Sequence, residues 1–169
     1  MSKSIAGFAI CQDKNIEPHE LANLFASVGW GDDADYLPDI ISRSIAAYPV
    51  VAYCRDFNGL LIAYVSAFTD GAFSTFIGEL VVRPQFQRKG IGSAMLELIV
   101  EKCRGVPIYG TPFKDDQSFF LKRGFRVPKR AMSVVSIRNA AKVQTVQGVP
   151  KVYTIINYHD EDTFDPNEA

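Results

Sequence analysis

Residues 80–96 read LVVRPQFQRKGIGSAML. An apolar run suited to a strand ends in Arg-Pro, crosses a burst of basic and glycine residues, and resumes as an apolar run with helical spacing. The first amides of a helix have no partner inside it and carry the positive end of its dipole. Gly90 and Gly92 let the backbone come close to a ligand, while Gln87, Arg88 and Lys89 add donors and positive charge. Together these features predict an anion site of the kind that takes a phosphate or pyrophosphate. The plainer alternative is a solvated basic turn in front of a helix.

Upstream of this junction the period is that of strands. PVVAYCR (49–55) and LLIAYVSAFT (60–69) are β-branched and aromatic, joined by a turn with Asn58-Gly59 at its centre. A second turn at Asp70-Gly71 leads into FSTFIGELVV (73–82), so three antiparallel strands are expected in succession. Before them come two amphipathic helices, EPHELANLFASVG (17–29), with Pro18 suited to its first turn, and DYLPDIISRSIAAYP (35–49), with apolar residues at helical spacing. IAGFAI (5–10) is a short apolar patch with no period of its own. Downstream, a helix (92–105) closed by Gly105, a strand VPIYGT (106–111), a helix DDQSFFLKRG (115–124) and a strand RAMSVVSI (130–137) are expected. Residues 142–158 read as a hairpin about Gly148, or as one edge strand. The expected architecture is α/β, a mixed and mostly antiparallel sheet flanked by helices. One domain spans 1–158, with an extra strand or hairpin at about 143–156, and the acidic tail 159–169 offers no core residues.

The chain has 169 residues, 47% hydrophobic and 22% charged, with a formal net charge of -1. That fits one domain with a full core and gives no overall field favouring nucleic acid or an anionic membrane. Cys11, Cys54 and Cys103 are odd in number and far apart, so neither a disulfide framework nor a zinc site is expected. The longest apolar run is far short of a membrane span, and a cytoplasmic location is expected.

Which phosphate ligand suits the junction is narrowed by what is missing. There is no GxxxxGK[ST], and a GxGxxG begun at Gly90 and Gly92 finds Met95 in its third place. The pattern that matches is V-x-P-x-[FY]-[QR]-x-x-G-x-G, from Val82 to Gly92. It resembles the acetyl-CoA-binding motif of the GNAT superfamily of N-acetyltransferases. FFLKRGF (119–125) is similar to a second signature of that family, FYxxxGF, and LANLFASVGW (21–30) to its opening helix.

The resemblance implies a sheet that splays beside the cofactor strand, with acetyl-CoA as co-substrate lying in the opening. It implies that backbone groups of Leu80, Val81 and Val82 bond the pantetheine arm. The loop from Gln87 and Arg88 through Lys89, Gly90, Ile91, Gly92 and Ser93 would take the pyrophosphate. Phe120 would lie against the cofactor, and Lys122 either reaches the outer phosphate or lies on a solvated helix face. No metal is implied.

Transfer of an acetyl group to an amine needs a base for the amine, a donor for the developing oxyanion, and a proton for the departing thiolate. Glu79, alone among apolar neighbours three residues before Val82, is the candidate base; the alternatives are a solvated carboxylate or an ion pair with Arg83. The family's usual acid is the tyrosine of FYxxxGF, and here that position is Phe120. Tyr109 and Tyr64 are the substitutes considered, and a thiolate also leaves unaided. His19 and Cys103 are given no catalytic role. Trp30, Asp32 and Tyr36, with Asp33 and Asp35, offer rings and carboxylates to a small cationic amine. Two readings compete with that enzyme: an acyl-CoA-binding module that has lost its acid, and an acetyltransferase acting on protein amines. Self-association into a homodimer is left open.

Overall fold

Six strands form one sheet in the order in which the chain supplies them: β1 (Ser4–Ile5), β2 (Phe8–Cys11), β3 (Val50–Arg55), β4 (Leu61–Thr69), β5 (Thr75–Val82) and β6 (Ile108–Tyr109). This is a computed structural model, and it describes residues 4, 5 and 7–129. Neighbours run antiparallel except β5 and β6, which are parallel. The mixed sheet expected from the sequence is therefore present. The strands anticipated at 130–137 and 142–158, and the tail 159–169, lie outside the described residues.

The chain does not open on its helices, as its periodicity suggested. Ser4–Ile5 and Phe8–Cys11 instead pair as β1 and β2, and β2 pairs with β3 through Ala9, Ile10 and Cys11. Two to four residues are too few to show a period of two; tertiary pairing to β3 is what makes this patch a strand. The helices follow as α1 (Pro18–Ala26) and α2 (Pro38–Ala47), each with proline in its first turn. Next come α3 (Ile91–Lys102) and the short α4 (Gln117–Leu121).

Alternation along the strands sends side chains to two separate clusters. Val50, Ala52 and Cys54 of β3 face α3, where Met95, Leu96 and Ile99 are buried. Val51 and Tyr53 face the other way, onto α1 and α2 through Leu21, Leu24, Phe25, Ile41 and Ile45. Two details place the site. β6 pairs only with Thr75 and Phe76, at the start of β5, so among the described residues the rest of β5 has no strand on that side. Between β4 and β5 the register shifts: Val65 faces Leu80 but Ala67 faces Ile77, leaving Ser66 opposite both Gly78 and Glu79. That is a β-bulge, which bends a strand and redirects the side chains on it.

The end of β5 is anchored by a buried cation. Arg83, 7% exposed, donates from Nε to the Leu61 carbonyl at 2.8 Å and from Nη2 to Asn23 Oδ1 of α1 at 2.6 Å. Its backbone N–H bonds Ile62 at 2.9 Å. Arg83 therefore ties β5 to β4 and α1, and the ion pair with Glu79 considered above does not form. Replacing Arg83 by Met strips the buried Leu61 carbonyl and the Asn23 side chain of a charged donor, at about 1.5–3 kcal/mol for a hydrogen bond to a charged group. Chemical denaturation of Arg83→Met is expected to show a loss of at least 1.5 kcal/mol with an unchanged slope.

Candidate active site

The basic junction folds as a 3-10 turn (Pro84–Phe86) followed by a tight loop into α3. Arg88 takes φ 60° and Gly90, the residue just before the helix, φ 84°. At Gly90 the left-handed backbone favours glycine outright. Gln87 spends its amide on the Val82 carbonyl, donating from Nε2 at 2.9 Å, so it shapes the loop from within. Lys89 lies over the Phe86 ring, 5.1 Å from its centre. Among the described residues the backbone amides from Arg88 to Ser93 find no acceptor. A row of amide donors at a helix start, next to an unpaired strand edge, fits a pyrophosphate and its attached pantetheine arm.

Gly92 lies within the first turn of α3 and has an ordinary helical backbone. A Cβ there would lie 3.5 Å from Phe119 and from Val82, ordinary contact. Neither backbone conformation nor packing among the described residues therefore requires glycine at this position. Lys122 is exposed on α4. Its neighbour Arg123, which the sequence reading did not select, turns inward: it donates to Ser93 Oγ from Nε at 2.9 Å and from Nη2, and to the Phe119 carbonyl at 2.7 Å. Its guanidinium stacks 3.8 Å from the Phe119 ring centre. Nothing in the spacing of Lys122 and Arg123 separates the two; only the path of α4 does.

Glu79 stands at the bulge, half-buried, on the face covered by α1 and α2. Tyr48, the residue that closes α2, donates to Oε1 at 3.0 Å, and Ser66 of β4 donates to Oε2. The Ser66 hydroxyl in turn accepts the Glu79 N–H at 3.1 Å. Burial raises the Glu79 pKa above the ordinary carboxylate value, and the hydrogen bonds from Ser66 and Tyr48 oppose that rise. Burial, reinforced by the charge of Glu79, pushes Tyr48 up to about 12. The sequence reading missed both partners. Tyr48 looked like the end of a helix; Ser66, one polar residue inside LIAYVSAFT, was a signal that went unused.

Phe120 has Phe119 and Phe125 edge-on at 5.3 and 5.4 Å. No hydroxyl stands at this position. Tyr64 is 1% exposed against Phe25, and burial first, then the charge of Glu79, raises its pKa. Tyr109 is more open, stacked on Phe76 with ring centres 5.2 Å apart. On the acceptor side, Tyr36 is buried against Phe25 and donates its hydroxyl to the Trp30 carbonyl. Trp30 lies between Phe25 and Phe113, at 5.5 and 6.5 Å, and Asp32 is exposed at the start of a 3-10 turn. Two concave surfaces of about 330 and 590 Å³ lie away from Glu79, one beside His19 and Tyr36, the other beside α3 and Arg104. Among the described residues no three His, Cys, Asp or Glu side chains cluster to hold a metal, and no helix is long and apolar enough to cross a membrane.

The profile of the acetyltransferase (GNAT) domain matches residues 47–127. An uncharacterized N-acetyltransferase of Pyropia yezoensis is 26% identical over 121 residues, 69% of this chain and 68% of its own. A GCN5-related N-acetyltransferase of Arabidopsis thaliana, named as chloroplastic, is 29% identical over 96 residues, 55% of this chain and 38% of its own. Among solved structures, a GNAT family acetyltransferase from Streptococcus pneumoniae superposes with a TM-score of 0.63 at 18% identity, covering 78% of this chain and 98% of that one. With the mixed sheet and the glycine loop, these likenesses support a GNAT acetyltransferase that uses acetyl-CoA.

Gly92→Ala separates ligand approach from folding. Alanine is favoured over glycine inside a helix by about 0.5–1 kcal/mol, and its Cβ has room. The variant is expected to keep or raise its melting temperature while acetyl-CoA affinity falls at least tenfold by calorimetric titration.

Proposed function

We propose that the protein is an N-acetyltransferase that moves the acetyl group of acetyl-CoA to a primary amine of a small cationic molecule by direct attack. The observation that carries this reading is Glu79: a half-buried carboxylate near the end of the strand that leads to the glycine loop, its pKa raised by desolvation. In the proposed reaction Glu79 takes a proton from the ammonium form of the acceptor. The neutral nitrogen forms a bond to the acetyl carbon as the carbon–sulfur bond breaks, and the nitrogen gives up its second proton to solvent. The sulfur leaves as a thiolate and collects a proton from solvent, since position 120 offers none.

Backbone groups of Leu80 to Val82 and the amides from Arg88 to Ser93 are assigned to the cofactor, with Arg123 positioning Ser93 in preference to Lys122. Trp30 and Asp32 are assigned to the acceptor. Tyr36, with its hydroxyl engaged by Trp30, supports them from behind. One domain over residues 1–158 and a cytoplasmic location complete the reading; the chloroplastic name of one relative makes a plastid the alternative location.

The absence of a hydroxyl at Phe120 favours a second reading, an acyl-CoA-binding module. Free-thiol release with a panel of primary amines decides between them: acetyl-CoA binding without amine-dependent release would replace the enzyme by the module.

Two substitutions test the chemistry. Glu79→Gln is expected to lower turnover about 100-fold or more. The loss should be largest at the low end of the wild-type pH range, where the acceptor is protonated and solution hydroxide cannot replace the base. Full activity of Glu79→Gln across that range would refute the assignment. Phe120→Tyr supplies a proton donor to the thiolate, and turnover is expected to stay level or rise.

A further inference from the structure

No cation is among the influences on Glu79 within the described residues. The titratable groups that feel its charge are three tyrosines: Tyr36 from the loop before α2, Tyr48 from the end of α2 and Tyr64 from β4. Only Tyr48 is hydrogen-bonded to the carboxylate, and the second contact is the hydroxyl of Ser66. A carboxylate has two oxygens, and here each is held by a different hydroxyl coming from a different element.

We propose that Tyr48 and Ser66 are positioning residues that clamp the Glu79 carboxylate, one hydroxyl on each oxygen, and that Gly78 is the seat that lets the Tyr48 hydroxyl reach it. The inference rests on Glu79 being the base. Ser66 is fixed in direction because its oxygen accepts the Glu79 amide while its proton goes to Oε2. That double bond pattern is available because the bulge sets one serine opposite two residues. Tyr48 is fixed differently, by its ring, which packs on Phe68 with centres 4.3 Å apart. With both oxygens held, the carboxylate cannot turn about its last bond, and its remaining lone pairs keep one direction toward an arriving amine.

Gly78 gives the arrangement its specificity. Its φ is not positive, so backbone conformation does not require glycine. Space does: a Cβ at 78 would overlap the Tyr48 hydroxyl and lie 2.7 Å from Ser66 Oγ. Any side chain at 78 displaces both donors from Glu79 without altering Glu79, Tyr48 or Ser66 themselves.

The clamp also sets the charge state. Desolvation favours the protonated acid, and each donated hydrogen bond favours the carboxylate. Removing a donor therefore raises the Glu79 pKa further, and the acidic limb of the rate profile, below which the base is filled, moves to higher pH. A structural role alone would lower stability and leave that limb where it is.

The test titrates Glu79 directly, in the protein without cofactor, by carbon NMR of glutamate-labelled samples. The Glu79→Gln spectrum identifies its resonance. Tyr48→Phe keeps the ring on Phe68 and is expected to raise the midpoint by about one pH unit, tenfold in proton affinity. Gly78→Ala, an independent variant, is expected to raise it by as much or more. In turnover against pH, the acidic limb of both variants should shift alike and kcat on the plateau should fall, while KM for the amine stays close to wild type. An unchanged or lowered midpoint in both variants would overturn the clamp. A raised midpoint with an unmoved rate profile would uphold the clamp and remove Glu79 from the role of base, so the two proposals fail separately.

Discussion

Ser66 faces two residues of β5 where a regular ladder would give it one, and the position of Glu79 follows from that extra residue. Before the bulge, Ile77 turns to the α3 side. After it, Val81 turns to the α1 and α2 side. Between them the strand changes phase by one residue, and both Gly78 and Glu79 come to bear on Ser66 and Tyr48. Without the slip, adjacent residues on a strand point to opposite faces. The slip also falls just past the last β5 residue paired to β6, so the irregular part of the strand is the part with no strand on that side among the described residues.

Much of this was legible from the chain. β3, β4 and β5 announced themselves because hairpin turns at Asn58-Gly59 and Asp70-Gly71 separate long runs of strand-forming residues. The loop before α3 was legible because glycine and basic residues interrupt that pattern at one place. Glu79 stood out as one carboxylate in an apolar run. What holds it did not stand out, because Tyr48 and Ser66 lie 31 and 13 residues away and meet it only through pairing. Arg123 was hidden for a related reason: Lys122 and Arg123 are adjacent cations, and which of them points inward depends on the angle at which α4 meets α3. β1 and β2 are strands by virtue of their neighbour, a property no short segment carries in itself.

Phe120 is more than an absent hydroxyl. With Phe119 and Phe125 it forms a chain of edge-on rings, and its ring stands at contact distance from Gly110, just beyond β6. These rings and Ile77 help to close the side of the opening away from Glu79. Phe120 packs as one apolar ring among others, against the cluster beneath α3. The departure from the family pattern thus agrees locally with its surroundings.

The sheet keeps two hydrophobic clusters apart, one beneath α3 and one beneath α1 and α2. The glycine loop is built on the first, and Glu79 and the residues assigned to the acceptor lie against the second. Substitutions on faces that share few partners tend to act independently. If the acceptor binds as proposed, sequence change around α1 and α2 alters which acceptor is taken while leaving the glycine loop intact. For a lineage acquiring new acceptors, this makes the route short: drift on one side of the sheet changes specificity, and the shared donor chemistry is inherited unchanged.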